Sequence, residues 1–259
     1  MDQNERRIRL IRFLIAESPE YSDLVIPEDE SGAKRLLRGL MNLRPPLPAP
    51  DEFLRIQDAY LAEELRKKGV VHTKNLDPVE PGISLWQGDI TRLDTDAIVN
   101  AANSGLTGCY RPCHGCIDNA IHTYAGVELR LACAKLAKEI GHPETPGLAR
   151  ATPAFNLPSR YVLHTVGPIV EGPVTDEHRT LLRSCYESCL ELTDRMGLGS
   201  VAFCCISTGV FGFPQEPAAE IAVGTVRDFL PKAKNVRQVV FNVFKDSDHA
   251  IYERLLKEE

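Results

Sequence analysis

The stretch Ile83–Asn103, "ISLWQGDITRLDTDAIVNAAN", holds two short apolar runs, each followed at once by a polar segment suited to ligands. "ISLWQG" and "DAIVN" have the β-branched and aromatic content of strands. Asp89 of "GDIT" and the asparagines Asn100 and Asn103 of "NAAN" stand where those strands end. Downstream, "ATPAFN", "YVLHTVG", "SVAFCCIS" and "RQVVFNVF" read as further strands. "CIDNAIHTYAGVELRLACAKLA", "DEHRTLLRSCYESCLELTDRM", "PAAEIAVGTVRDFL" and "DHAIYERLLKE" read as helices. Strand–helix alternation predicts an α/β domain on a largely parallel sheet, with ligands beyond the C-terminal ends of the strands.

Upstream the pattern is helical. In "NERRIRLIRFLIAES" the residues Ile8, Ile11 and Ile15 recur at helical spacing. "DEFLRIQDAYLAEELRKKG" is a better helix. Asp51 is the expected N-cap, and Leu54, Ile56, Leu61 and Leu65 lie near one face. Lys67 and Lys68 fall in the last turn, and Gly69 is the stop. "RPPLPAP" between them is a break no helix crosses. Two units are expected: a helical extension over 1–75 and an α/β domain over 76–259.

The 259 residues are 43% hydrophobic and 25% charged, with a formal net charge of -6. That suffices for an ordinary core. There is no basic cluster of the kind nucleic acid requires, whereas a small anion held by backbone dipoles is compatible with an acidic chain. The N-terminus "MDQNERRIRLIRFLIAESPE" has charges throughout, unlike a signal peptide or membrane span. A cytoplasmic protein without a membrane partner is expected. Its eight cysteines are then thiols or metal ligands rather than disulfides.

"STGVFGFP", Ser207–Pro214, follows an apolar strand and precedes a helix. Gly209 and Gly212 permit close backbone approach, Pro214 suits the first helical turn, and free N–H groups there can hold a diphosphate. It matches no standard phosphate motif, and an ordinary glycine turn reads the same way. "GCYRPCHGCIDNAIH", Gly108–His122, is denser in chemistry, with Cys109, Cys113, His114 and Cys116 close together. It admits a closed structural zinc knot, a redox C-x-x-C, a deaminase-type P-C-x-x-C, or a three-ligand metal centre with one open position. Adjacency of Cys113 and His114 disfavours the knot. The only H-x-E, His142-Pro143-Glu144, lies on the wrong side for a deaminase. Two thiolates and a neutral imidazole would cancel the Zn²⁺ charge, so such a centre grips and polarises an oxygen more than it acidifies water.

Together, "QGDITRLDTDAIVNAANSGLTGC", "CIDNAIHTYAG", "STGVFGFP" and "VVFNVFKDSDHAIYERLL" occur in the order found in macrodomains, and the chain from about residue 83 onward resembles that ADP-ribose-binding family. "GCYRPCHGC" is similar to the insert of its zinc-dependent subclass, which removes mono-ADP-ribose from proteins. "DEFLRIQDAYLAEELRKKGVV" resembles that subclass's N-terminal extension. The resemblance implies a three-layer α/β/α sandwich with a mixed, largely parallel sheet. Its Cys, then His-x-Cys pattern selects Cys109, His114 and Cys116 as zinc ligands and leaves Cys113 outside. It gives Asp89 and the Ile90 N–H to the adenine, with Phe244 and Asn242 flanking it. Asn100 and Asn103 address the distal ribose. Ser207, Thr208, Gly209, Val210, Phe211 and Gly212 hold the diphosphate. Asp118, with Asn103 and its neighbour Asn119, assists catalysis, and His122 is a buried, hydrogen-bonded structural histidine. Trp86 is expected in the core, as are Cys133, Cys185, Cys189, Cys204 and Cys205 as core or surface thiols. The implied substrate is a mono-ADP-ribosylated protein, a lipoyl-carrier protein by the subclass's genomic habit. The competing readings are a non-catalytic ADP-ribose reader and a hydrolase of free ADP-ribose derivatives.

Overall fold

The computed structural model describes residues 1–258; Glu259, the last position of the expected α/β unit, lies outside the described residues. Three helices come first: α1 (Gln3–Ala16), α2 (Glu30–Leu43) and α3 (Asp51–Lys68). α1 opens with a capping box between Asp2 and Glu5, and Asp29 caps α2 through the Gly32 N–H. Pro50, not Asp51, is the cap residue of α3, and Asp51 is its first helical residue, where a carboxylate meets the positive end of the dipole. α2 is absent from the elements expected above, although Ala33, Leu37, Leu40 and Met41 give it a clear apolar stripe. The three helices share a core of Leu10, Ile11, Leu14, Leu37, Leu40, Phe53, Tyr60 and Leu61, into which Val127 of the following domain inserts. The buried stripe of α1 is Arg7, Leu10, Ile11 and Leu14, so Ile8 and Ile15 flank the contact.

The strands are β1 (Val71–His72), β2 (Pro78–Glu80), β3 (Ile83–Gln87), β4 (Leu93–Asp94), β5 (Ala97–Ala101), β6 (Ala149–Pro153), β7 (Tyr161–Thr165), β8 (Ser200–Phe203) and β9 (Gln238–Val243). Seven of them form one sheet in the order β2-β3-β9-β8-β5-β7-β6. The five central strands run parallel, and the edge strands β2 and β6 run antiparallel to their neighbours. The sheet is therefore mixed and largely parallel, as expected, and helices flank it: α4 (Ile117–Ala125), α5 (Val127–Ile140), α6 (Asp176–Arg195), α7 (Gln215–Phe229) and α8 (Asp246–Lys257). β1 lies inside the span expected to be helical and pairs parallel with β4, tying the extension to the domain. β8 ends at Phe203, so Cys204 and Cys205 stand beyond the strand rather than in it. Pro214 is the cap of α7 and not part of its first turn. No helix among the described residues is long and apolar enough to cross a membrane.

The single helix expected over 116–137 is two. Gly126, at φ +94°, breaks it, because the chain must turn there to meet α3. A Cβ at Gly126 would lie 2.6 Å from the Gln57 amide nitrogen. Gln57 is fully buried, and its Oε1 accepts the Val127 N–H at 2.9 Å. This contact seats the extension on the domain. Gly126→Ala should therefore cost about 1–3 kcal/mol of stability, through strain at positive φ and collision with Gln57; a thermal melt unchanged from wild type would contradict this account of the joint.

Candidate active site

The polar residues collect where the parallel strands end. Asn100, on the last turn of pleat of β5, is completely buried. Its amide nitrogen donates to Asp118 Oδ1 at 2.8 Å and faces His164 Nδ1 at 3.2 Å. An amide nitrogen can only donate, so His164 Nδ1 accepts, and its Nε2–H is left to donate to Thr152 Oγ1 at 2.9 Å. Asn100 Oδ1 is buried and has no protein partner. Asn103 bonds Asp118 Oδ2 at 3.3 Å and the Gly108 carbonyl at 3.2 Å through its amide nitrogen, while its Oδ1 accepts the Gly105 N–H.

Asp118 is 5% exposed, near the start of α4. Burial pushes its pKa up to about 6, against the opposing pull of Asn100, the Arg130 charge and Asn103. His122, one turn on, is buried and held neutral: burial, then the neighbouring His164 and Arg130, keep its pKa well below the usual histidine value. Its Nε2 lies 3.5 Å from Asp118 Oδ1, yet neither ring nitrogen has a hydrogen-bond partner. The expectation of a hydrogen-bonded histidine is corrected here. The ring instead packs flat on Gly108, at φ +85°, where a Cβ would sit 2.7 Å from the ring carbon Cδ2. His164, pushed down to about 4 by burial, and the Cys133 thiol, pushed up to about 12, complete a neutral floor.

Asn119 does not face the Asp118 carboxylate. Its Oδ1 accepts from Arg38 Nη2 at 2.7 Å and Nε at 3.2 Å, and its amide nitrogen donates to the Arg111 carbonyl. With both ends of its amide spent, it braces the loop instead of sharing the acid's role, which corrects the expectation. Arg38 comes from α2, a helix the sequence reading lacks.

The metal-type ligands converge. Cys109, His114 and Cys116 bring their ligand atoms within 4.8 Å of one another, with Cys109 Sγ 3.6 Å from His114 Nδ1. Cys116 caps α4, its sulfur accepting the Asn119 N–H at 3.4 Å. Burial, with Cys109 and Asp118 adding to it, pushes its thiol up to about 11 against the pull of that N–H. Cys113 takes φ +54°, which turns its thiol away toward the Arg35 carbonyl of α2 at 3.3 Å. It is not part of the cluster.

The loop after β8 is the one expected to receive an anion. The Thr208 N–H is spent on Cys205 O and that of Gly212 on Gly209 O. Those of Gly209, Val210 and Phe211 meet no protein acceptor among the described residues. Ser207, at φ +64°, is buried with its hydroxyl unpartnered, and its carbonyl accepts the Phe213 N–H. Three of the six expected residues thus carry N–H groups without a protein acceptor. At the far end, Asp89 caps a short turn, Ile90–Arg92, through Thr91 and takes the Lys68 ammonium at 3.0 Å. Burial pushes its pKa up, but the Thr91 bonds and the Lys68 charge outweigh that and hold it below the usual range. The Ile90 side chain is core. Asn242 is buried and donates to the Gly88 carbonyl at 3.0 Å, so it holds the "GDIT" turn against β9 and shapes the pocket indirectly. Phe244 is 75% exposed, a free aromatic face and not a core residue. Trp86 is half-buried against the main core.

Asp118 also makes a stability statement. Its folded pKa of about 6 exceeds the ordinary value of 3.8, so the folded form binds the proton more tightly than the unfolded chain. Stability contributed by this group is full at low pH and lost as pH rises through 6. Asp118→Asn should therefore match or exceed wild-type stability at pH 7.5, by about 1–3 kcal/mol, and the gap should narrow as pH falls below about 6 and close only below the ordinary value of 3.8. Denaturant melts at pH 7.5 and 5 measure it; a variant destabilised at pH 7.5 would refute the strained-carboxylate picture.

Known proteins resemble this chain in family, sequence and fold. Residues 99–222 match the family model described as Macro domain. The chain is 55% identical to a protein-ADP-ribose hydrolase of Treponema medium, over 99% of this chain and 100% of that one. It is 47% identical to a protein-ADP-ribose hydrolase of Staphylococcus aureus (strain Mu50), over 100% and 98%. Among solved structures it is similar to the Trypanosoma brucei macrodomain in complex with ADP-ribose, at 34% identity and TM-score 0.67, covering 84% of this chain and 94% of that one. It is also similar to an Oceanobacillus iheyensis macrodomain variant with ADP-ribose, at 39% identity and TM-score 0.62, over 68% and 91%.

Proposed function

The chain belongs to the Macro domain family, and we propose that it is a zinc-dependent hydrolase that removes mono-ADP-ribose from modified protein side chains, releasing ADP-ribose. The observation that carries this reading is the meeting of a buried carboxyl group, Asp118, with a thiol–imidazole–thiol cluster on the same short segment. A module that only reads ADP-ribose has no use for either. Full-length similarity to relatives named protein-ADP-ribose hydrolase supports the hydrolytic reading.

Two soft thiolates and one imidazole suit zinc, and three protein ligands leave a coordination position open. When bound, zinc held by Cys109, His114 and Cys116 supplies a Lewis acid that grips and polarises an oxygen. The chain's own residues do the remainder. The N–H groups of Gly209, Val210 and Phe211 receive the diphosphate. Phe244 offers its face to the adenine, and Asp89, kept ionised by Lys68 and Thr91, accepts from the adenine amino group. Asn100 Oδ1, the buried acceptor without a protein partner, takes a hydroxyl of the distal ribose. Asp118, with a pKa near 6, is largely ionised at neutral pH and receives a proton from the attacking water while the ribose–protein bond breaks. The proton then passes to the departing side chain. The modified protein is the substrate, a lipoyl-carrier protein among the classes to assay first, and the setting is the cytoplasm.

Release of ADP-ribose from a mono-ADP-ribosylated protein, with zinc measured on the same sample, tests this. Wild type should carry about one zinc and turn over. Cys116→Ala should lose both. Asp118→Ala should keep zinc and bind ADP-ribose within about threefold of wild type, while turnover falls by roughly 100-fold or more. Binding without cleavage by wild type, across several linkages, would replace the hydrolase with a reader. Phe244→Ala should weaken ADP-ribose binding by about 1–3 kcal/mol through lost base stacking, measured by calorimetry; unchanged affinity would remove the adenine from this face.

A further inference from the structure

Arg130 of α5 is 4% exposed and has no carboxylate within ion-pair distance among the described residues. A buried guanidinium is costly unless its donors are satisfied. Here they are satisfied by main-chain carbonyls from two separate parts of the chain. Nη1 donates to the carbonyls of Met41 (3.3 Å), Asn42 (2.6 Å) and Arg44 (2.7 Å), the C-terminal end of α2. The Met41 and Asn42 carbonyls lie at the negative pole of that helix, and Arg44 is the cap residue just beyond it. The other edge of the fork donates to Thr107 O at 2.8 Å through Nε and to Cys109 O at 3.4 Å through Nη2. The Tyr110 ring covers the guanidinium, 4.2 Å from its centroid.

α2 grips the same loop further along. Asn42, 1% exposed, accepts the Cys113 N–H at 2.9 Å and donates to Thr123. Arg38 donates to the His114 carbonyl at 3.1 Å. The loop from Gly105 to Cys116 contains three glycines and no helix or strand of its own. Left to itself, it could not hold three ligand atoms in register, and supporting contacts of this kind set metal affinity.

We infer that Arg130 is a positioning residue for the Cys109 ligand, and that through it the helical extension is a structural part of the metal site. The inference rests on the zinc reading above. Arg130→Lys keeps charge and bulk but cannot bridge two segments with a planar fork. Zinc transfer from the full chain to a chromophoric chelator should show affinity weakened by about tenfold or more in Arg130→Lys and Arg130→Met. The visible spectrum of the cobalt-substituted protein should shift as well, reporting altered ligand geometry. Val240→Ala, a core change in β9, serves as the control for general destabilisation. It should lower thermal stability yet leave zinc affinity and the cobalt spectrum as in wild type. The inference is overturned if the Arg130 variants hold zinc as wild type does, or if Val240→Ala loses zinc equally. A wild-type chain that takes up no zinc overturns the metal reading itself, and this inference with it, a result distinct from either of those.

Discussion

Burying the Asp118 carboxyl group constrains most of what surrounds it. A carboxylate taken out of water must be held by donors or surrender its charge. The donors are Asn100, fixed at the end of β5, and Asn103, fixed by an Asx turn one step further. The second amide hydrogen of Asn100 goes to His164, which sets that ring's tautomer and leaves its Nε2–H for Thr152 on β6. The polar chain thus runs across three adjacent strands, β5, β7 and β6. The strand order of the sheet is what makes it continuous. Donors are enough to hold the acid but too few to return its pKa to that of a solvated aspartate, and this leaves a group that titrates near neutrality.

The neutrality of the floor matters as much as the donors. Were His122 or His164 protonated, Asp118 would be paired and its pKa would fall. Burial keeps both imidazoles uncharged. Arg130 is the nearest uncompensated cation, and its donors point to carbonyls instead of to the acid. Its charge pulls the Asp118 pKa down without pairing with the acid.

The extension then closes the arrangement from outside. It has a core of its own, yet it meets the domain through polar contacts: Gln57 to Val127, Asn42 to Cys113 and Thr123, and Lys68 to Asp89. Among the described residues, Val127 is the one domain residue buried in the extension's apolar core, and the directional contacts fix the extension's register. Both ends of the cleft therefore depend on helices that precede the sheet.

Much was legible in the residues alone. Apolar runs of strand length alternating with helical stripes determine an α/β domain, because a sheet of that kind must cover both faces. Cys109, His114 and Cys116 lie within eight residues, so local chain geometry already keeps them close. Glycines and an asparagine-rich strand end mark the cleft for the same local reason. The rest depended on partners far apart in the chain. Arg38 and Asn119 are separated by 81 residues, and Asn42 and Cys113 by 71; no spacing rule connects them. That Cys113 turns out of the cluster follows from a left-handed backbone imposed by α2. That Asn119 braces a loop, that His122 stands without a hydrogen bond, and that Asp118 titrates near 6 are consequences of burial. Burial is a property of the packed chain: the residues set which groups are available, and packing selects which of them lose their water and what they meet in its place.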